Sequence, residues 1–267
     1  MTERPNFGYD FGGYRDGIWL LQQWDIDPDV LIILNDSIWF PLSDEEILIK
    51  QMEAVPADVV GALQLDPLRQ TDGIPEKKRP FFGSFFLMIK RAAWKHTAFK
   101  HFWETYRITS NKYKTIRRGE RGFSHAMIDA GLTCQAIYTR SALDEHIQAL
   151  PNESLLKFLC DLVSIEDTIT VGIKEAAESF SDTPVWRSKA MGLAMAATEK
   201  QNILATAPIT SLTTFKVPYL KKARDKNNLA ALRTIRQRMA QHALPAAHPT
   251  ILDEIDKVLG QQERAFS

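Results

Sequence analysis

The stretch "DVLIILNDS", residues 29–37, is an unbroken apolar run closed by an amide, a carboxylate and a hydroxyl. Such a run reads as a strand covered on both faces, the kind that builds a parallel or mixed sheet. Downstream, "ADVVGALQL" (57–65) reads as a second strand and "PFFGSFFLMIKR" (80–91) as a third. Between the first two, "SDEEILIKQME" offers Ser43 as N-cap with Glu46 three residues on, a capping box that starts a helix. The polar segment 66–79, with two prolines and a glycine, is a loop long enough to carry function. "AFKHFWETYR" (98–107) is an amphipathic helix. "IRRGERGFSHAMIDAGL" (116–132) holds a helix expected to begin near Glu120 and to stop at Gly131, and "TCQAIYT" (133–139) is a short strand. Strand and helix thus alternate to about residue 140, which predicts an α/β sandwich. From Asn152 onward the pattern is mostly helical, punctuated by Pro184, Pro208, Pro218 and Pro245. The expected division is 1–150 and 151–267. Trp94, Trp103 and Trp186 are expected in cores.

Upstream of the first strand lies "RPNFGYDFGGYRDGIW" (4–19), with five aromatics and four glycines. Gly8, Gly12 and Gly13 would let a backbone turn sharply and approach a ligand. Asp10 would accept hydrogen bonds from a ribose or sugar hydroxyl, and Arg4 and Arg15 would neutralise phosphate. A tight loop leading into a helix, its aromatics plugging a core, accounts for the same residues. Residues 16–24 read as that helix, with Ile18, Leu21 and Trp24 on one side.

Composition narrows the function classes. The 267 residues carry 33 Lys and Arg against 33 Asp and Glu, so no net sign points to nucleic acid. Basic residues gather in 77–121 and 216–238, acidic ones in 25–72. Cys134 and Cys160 lack metal-type spacing, which argues against a disulfide framework and fits a reducing compartment. His96, His101, His146, His242 and His248 share no ligand spacing and read as surface or packing residues. No apolar run approaches a membrane span, and the start of the chain lacks the apolar core of a signal peptide. The segment "VPYLKKARDKNNLAALRTIRQRM" (217–239) is basic and amphipathic; it suits a solvated helix face or contact with a membrane surface.

Asn35, Asp36 and Ser37 stand where the first strand ends, and open α/β sheets bind ligands beyond the carboxyl ends of their strands. A carboxylate flanked by an amide and a hydroxyl there would grip a diphosphate and a hard divalent ion such as Mg²⁺ or Mn²⁺. An Asx-type turn explains the same triplet. Glu120, among Arg117, Arg118 and Arg121 and one turn before Ser124 and His125, would serve as a general base for an acceptor hydroxyl. A solvated Glu at a helix N-terminus explains it as well.

In order, "RPNFGYDFGGYRDGI", "LIILNDSIWFPL", "GSFFLMIKRAAWKHTAFKHFWE" and "GERGFSHAMIDAGL" resemble the rhamnan-synthesis F family, glycosyltransferases of bacterial polysaccharide and lipopolysaccharide assembly. The resemblance covers residues 4 to about 139 and thins into "WRSKAMG" and "ILATAPITSLTTFKVPYLKK". It implies a GT-A fold, a Rossmann-type mixed sheet that binds a nucleotide sugar, followed by a helical region. Family members carry a strand–helix–strand portion ahead of the opening motif, so the sheet is expected to lack its first strands. By position, Asn35, Asp36 and Ser37 match the metal-binding Asp-x-Asp motif, with Asp36 alone acidic. Asn6, Gly8 and Asp10 match the nucleotide loop. Gly83 and Ser84 match the segment lining donor sugar or acceptor, and Glu120 matches the acidic residue before the Gly-x-Ser helix. The implied partners are a nucleotide-sugar donor and a saccharide or lipid-linked saccharide acceptor. The implied place is the cytoplasm, at the inner face of the membrane. A degenerate, non-catalytic carbohydrate- or partner-binding module, and a nucleotide-sugar hydrolase, are the competing readings.

Overall fold

The computed structural model describes residues 3, 5, 7–43, 47–66, 79–199 and 202–263. In chain order the first half forms α1 (Tyr9–Gln23), β1 (Val30–Leu34), β2 (Ile38–Trp39), α2 (Ile47–Ala54), β3 (Val59–Leu65), β4 (Phe81–Phe82) and β5 (Phe86–Lys90). Then come α3 (Arg91–Lys95), α4 (Thr97–Thr105), α5 (Lys112–Ile116), a π-helical turn (Arg117–Arg121), α6 (Gly122–Asp129) and β6 (Cys134–Tyr138). The rest is α7 (Arg140–Ala149), α8 (Asn152–Asp161), α9 (Asp167–Glu178), α10 (Pro184–Glu199), α11 (Ile203–Thr206), α12 (Pro208–Thr213), β7 (Leu220–Lys221), α13 (Lys226–Ala240) and α14 (Pro249–Glu263). The chain divides into two compact units, Met1–Asp36 with Leu48–Thr139, and Ser37–Ile47 with Arg140–Ser267.

The first unit is a mixed sheet with helices, as the alternation predicts. β5 lies between β1 and β3, antiparallel to both, and β6 joins β3 in parallel. Val59, Val60, Ala62 and Leu63 of β3 are fully buried, because this strand has neighbours on both edges. One face of the unit is an aromatic core in which Phe11 of α1, Phe99 and Trp103 of α4, and Phe123 of α6 meet. Each ring buries well over a hundred square ångströms of apolar surface, about 150–250 Å², so this cluster fixes how α1, α4 and α6 lie on one another.

Four expectations change here. The run 29–37 is an edge strand: β1 pairs with β5 alone among the described strands, and Val30, Ile32 and Leu34 stand 37–46% exposed while Ile33 is buried. An unbroken apolar run does not say which of its faces receives a neighbour. The opening stretch is helical from Tyr9, not from residue 16; Gly12 and Gly13 lie inside α1, and of its glycines Gly8 alone, at φ +85°, has the left-handed backbone that favours glycine. Ile18 is buried, but Trp24, just past α1, is 61% exposed. The segment 80–91 is two strands rather than one. Glu120 sits mid-way through helical backbone running from Lys112 to Asp129, so no helix N-terminus supports it. Gly131, at φ +81°, ends that helix as read. Glu46 of the capping box, the loop 67–78, Arg4 and Asn6 lie outside the described residues.

The second unit is helical apart from β2 and β7, where Ile38 pairs with Lys221 and Trp39 with Leu220. Trp186 is buried and donates through Nε1 to the carbonyl of Ala176, while Arg187 donates to the carbonyls of Gln148 and Leu150 at the end of α7. α13 puts Leu232, Ile235 and Met239 into a core shared with Trp39 and Leu220. Its Arg236 pairs with Asp256 and its Arg238 with Asp161. That apolar face is therefore inside the protein. No described helix is long and apolar enough to cross a membrane.

Candidate functional site

The geometry at the carboxyl end of β1 follows from a break in its neighbour. β5 pairs with β3 through Val59↔Ile89 and Gly61↔Leu87, whereas β4 pairs through Gln64↔Phe82 and Leu65↔Phe81. The two registers differ by two residues, so 83–85 bulge out of the ladder. Bulges re-aim side chains beside functional sites. Gly83 makes this one possible: its amide bonds the Leu63 carbonyl at 2.9 Å, and a Cβ there would lie 2.5 Å from the Phe85 ring. Ser84 is thereby turned toward the π-helical turn. Its amide and its Oγ both donate to Glu120 Oε1, at 3.1 and 2.7 Å. Glu120 Oε2 makes no hydrogen bond to a described residue, so the carboxylate is anchored by one oxygen.

Ser124, one turn beyond Glu120, is buried and locks the other side. Its Oγ donates to the Glu120 carbonyl at 2.8 Å and accepts from the Phe82 amide at 3.0 Å. π-Helical turns are rare and recur at functional sites. Gly119 within this one is buried, and a Cβ there would meet the Phe11 ring at 2.6 Å. Small size at 119 lets the turn press against the aromatic core.

Asp10 and Asn35 converge across α1 and β1: Asn35 Nδ2 donates to Asp10 Oδ2 at 3.0 Å. Tyr14, one turn after Asp10, donates through its hydroxyl to the Ser84 carbonyl at 3.0 Å. Burial pushes this phenol far above its ordinary range, with Asp10, Glu120 and Asp36 adding to the effect and a hydrogen bond with Asn35 opposing it. Tyr14 thus stands among all three carboxylates as a neutral donor. Asp36 is exposed and bonds to no described residue. Arg118 and Arg15 both act electrostatically on Tyr106, whose hydroxyl burial shifts upward. Arg118 is exposed; Arg15 pairs with Asp16 at 3.1 Å and covers the Trp19 ring at 4.5 Å.

The residues singled out in the sequence separate accordingly. Asp10, Asn35, Asp36, Ser84 and Glu120 gather around Tyr14. Gly8 is buried, with a hypothetical Cβ 2.2 Å from Ile108, and Gly83 shapes the bulge. Ser37 falls in the second unit, where its carbonyl accepts from the Lys222 amide at 2.8 Å. Asn6 lies outside the described residues. Tyr14 went unread, although its spacing of four from Asp10 on a helix is the visible signal. No group of three His, Cys, Asp or Glu among the described residues is placed to hold a metal ion.

A family profile for rhamnan synthesis protein F matches residues 1–160. The chain belongs to that family. Its members are named for rhamnan synthesis, which ties the chain to polysaccharide biosynthesis. An uncharacterized protein of Sinorhizobium fredii, y4gN, is 33% identical over 120 residues, which make up 45% of this chain and 30% of the relative. The chain therefore spans less than a third of that relative's length. No solved structure matches it. The family match covers the whole strand-end cluster from Asp10 to Glu120.

Proposed function

We propose that this rhamnan synthesis F chain carries the donor site of a GT-A-type glycosyltransferase, moving a sugar from a nucleotide sugar to a growing bacterial cell-surface polysaccharide. The observation that carries the reading is the convergence of Asp10–Asn35, Asp36 and Ser84–Glu120 beyond the carboxyl end of β1. Ligand sites of α/β sheets gather at such strand ends. Asp10 and Asn35 suit the hydroxyls of a ribose or donor sugar. Arg118 and Arg15 suit the charge that grows on the departing diphosphate. No three His, Cys, Asp or Glu converge among the described residues, so Asp36 would hold a divalent ion such as Mg²⁺ or Mn²⁺ only with the help of the bound donor, whose diphosphate charge the ion would offset.

In this reading an acceptor hydroxyl loses its proton to Glu120 Oε2 while its oxygen attacks the anomeric carbon. The bond from that carbon to the diphosphate oxygen breaks, and the nucleoside diphosphate leaves. Ser84 holds the other carboxylate oxygen, and Tyr14 holds the Ser84 carbonyl. The acceptor is a saccharide or lipid-linked saccharide, which places the work at the cytoplasmic face of the membrane.

A second reading has a specific observation behind it. Two hydrogen bonds from Ser84 to Glu120 also suit a purely structural carboxylate, and Asp36 has no acidic neighbour in its motif. The chain would then be a carbohydrate- or partner-binding module. An assay of nucleoside diphosphate release from a panel of nucleotide sugars separates the readings. Transfer predicts release that depends on a saccharide acceptor and falls about 100-fold or more in Glu120→Gln, as loss of a general base does. Release without acceptor would assign hydrolysis. No release, with nucleotide sugar still bound, would assign the module.

A further inference from the structure

The second unit holds a cavity of its own, about 330 Å³, walled by α7, α8, α12 and α13. We propose that this cavity binds an anionic sugar, a single saccharide unit bearing a phosphate or a carboxylate. Its volume is at the small end of ligand pockets, which run from about 300 to 1,000 Å³, so it suits one sugar ring and not a nucleotide sugar. The proposal is independent of the donor site in the first unit.

Charge and hydroxyls carry the assignment. Asp161 faces the cavity with its side chain only 10% exposed, and Arg238 Nη2 donates to it at 2.5 Å. That pair neutralises the acid and fixes the guanidinium, whose remaining N–H groups bond to no described residue. Lys157, exposed at the rim of the same cavity, has no ion-pair partner among the described residues. With the Asp161 charge met, Lys157 and the free edge of Arg238 leave a cationic excess for one anionic group. Thr210 on α12 and Ser154 on α8 also line the cavity, and neither hydroxyl is spent on a described residue. The Phe158 ring adds an apolar wall for the C–H face of a sugar.

The same charge arises on a free sugar phosphate or on an acidic residue of a polysaccharide. Titration calorimetry with glucose 1-phosphate, glucuronate, glucose and inorganic phosphate tells them apart. The full chain is used with Asp36→Ala and Glu120→Gln in place, which silences the first unit. Binding of glucose 1-phosphate or glucuronate, about tenfold weaker after Lys157→Ala, supports the proposal; glucose 1-phosphate alone assigns the phosphate source, glucuronate the carboxylate. Lys157 is exposed, so its variant keeps the fold, and Thr210→Val provides an independent second variant. No binding of either anionic sugar, binding untouched by both variants, or inorganic phosphate binding as well as glucose 1-phosphate would each overturn it.

Discussion

At the scale of single residues, position in the sequence told little about which groups would meet. Asp36 and Glu120 drew notice because a carboxylate beside a strand end or an arginine cluster is chemically conspicuous. Tyr14 did not, since its importance comes from what surrounds it after folding: Asp10, Asn35, Ser84 and Glu120 arrive from four separate elements. Asp58 is a second case. Its carboxylate accepts from both the amide and the hydroxyl of Thr133, at 2.9 and 2.7 Å, and ties the start of β3 to the start of β6. Those donors hold its carboxyl below the usual carboxylate range. A depressed carboxyl adds stability that is full above its unfolded value of about 3.9 and is lost as pH falls through the folded value. Asp58→Ala is therefore expected to cost about 1–2 kcal/mol at neutral pH, with the gap to the wild type closing below about pH 4. Urea denaturation at pH 7 and pH 3 measures both. Cys134, nearby, is pushed up to about 11 by burial and by Asp58, which leaves it a packing residue and not a nucleophile at neutral pH.

At the scale of elements, the sequence was most legible where a pattern is local. Apolar runs marked β3 and β6, and Gly131 marked the end of α6. Edge status and breaks were not legible, because both depend on partners distant in the chain. β1 has the same apolar run as β3 yet shows one face to solvent, and 80–91 splits only because its two halves pair with β3 in different registers. Two substitutions test these points. Ile32→Lys, on the exposed face of the edge strand, is expected to change stability by no more than about 0.5 kcal/mol and to lower self-association in light scattering, since charges blunt exposed edges. In the π-helical turn, Gly119→Ala drives a Cβ into the buried Phe11 ring and is expected to destabilise by about 1–3 kcal/mol. Gly122→Ala is its control: the nearest atom there lies at 3.7 Å, so chemical denaturation should show no loss.

At the scale of the whole molecule, the chain divides into two units with separate apolar cores. The family match lies on the first unit and the start of the second, and so do the motifs that made the chain recognisable. The second unit was legible as helical but not as a site, because the cavity there is assembled from four helices with no shared motif. Donor-site function rests on nucleotide-sugar binding by the strand-end cluster of the first unit. Its most direct test is the melting temperature of the wild type and of Asp36→Ala against a panel of nucleoside diphosphates and nucleotide sugars, with and without Mn²⁺. A ligand at about 100 times its Kd adds about 2.7 kcal/mol to the folded state, a shift of several degrees. The expected result is such a shift for one nucleotide in the wild type and its loss in Asp36→Ala; a panel in which nothing shifts the wild type, or in which Asp36→Ala shifts equally, would contradict the donor site.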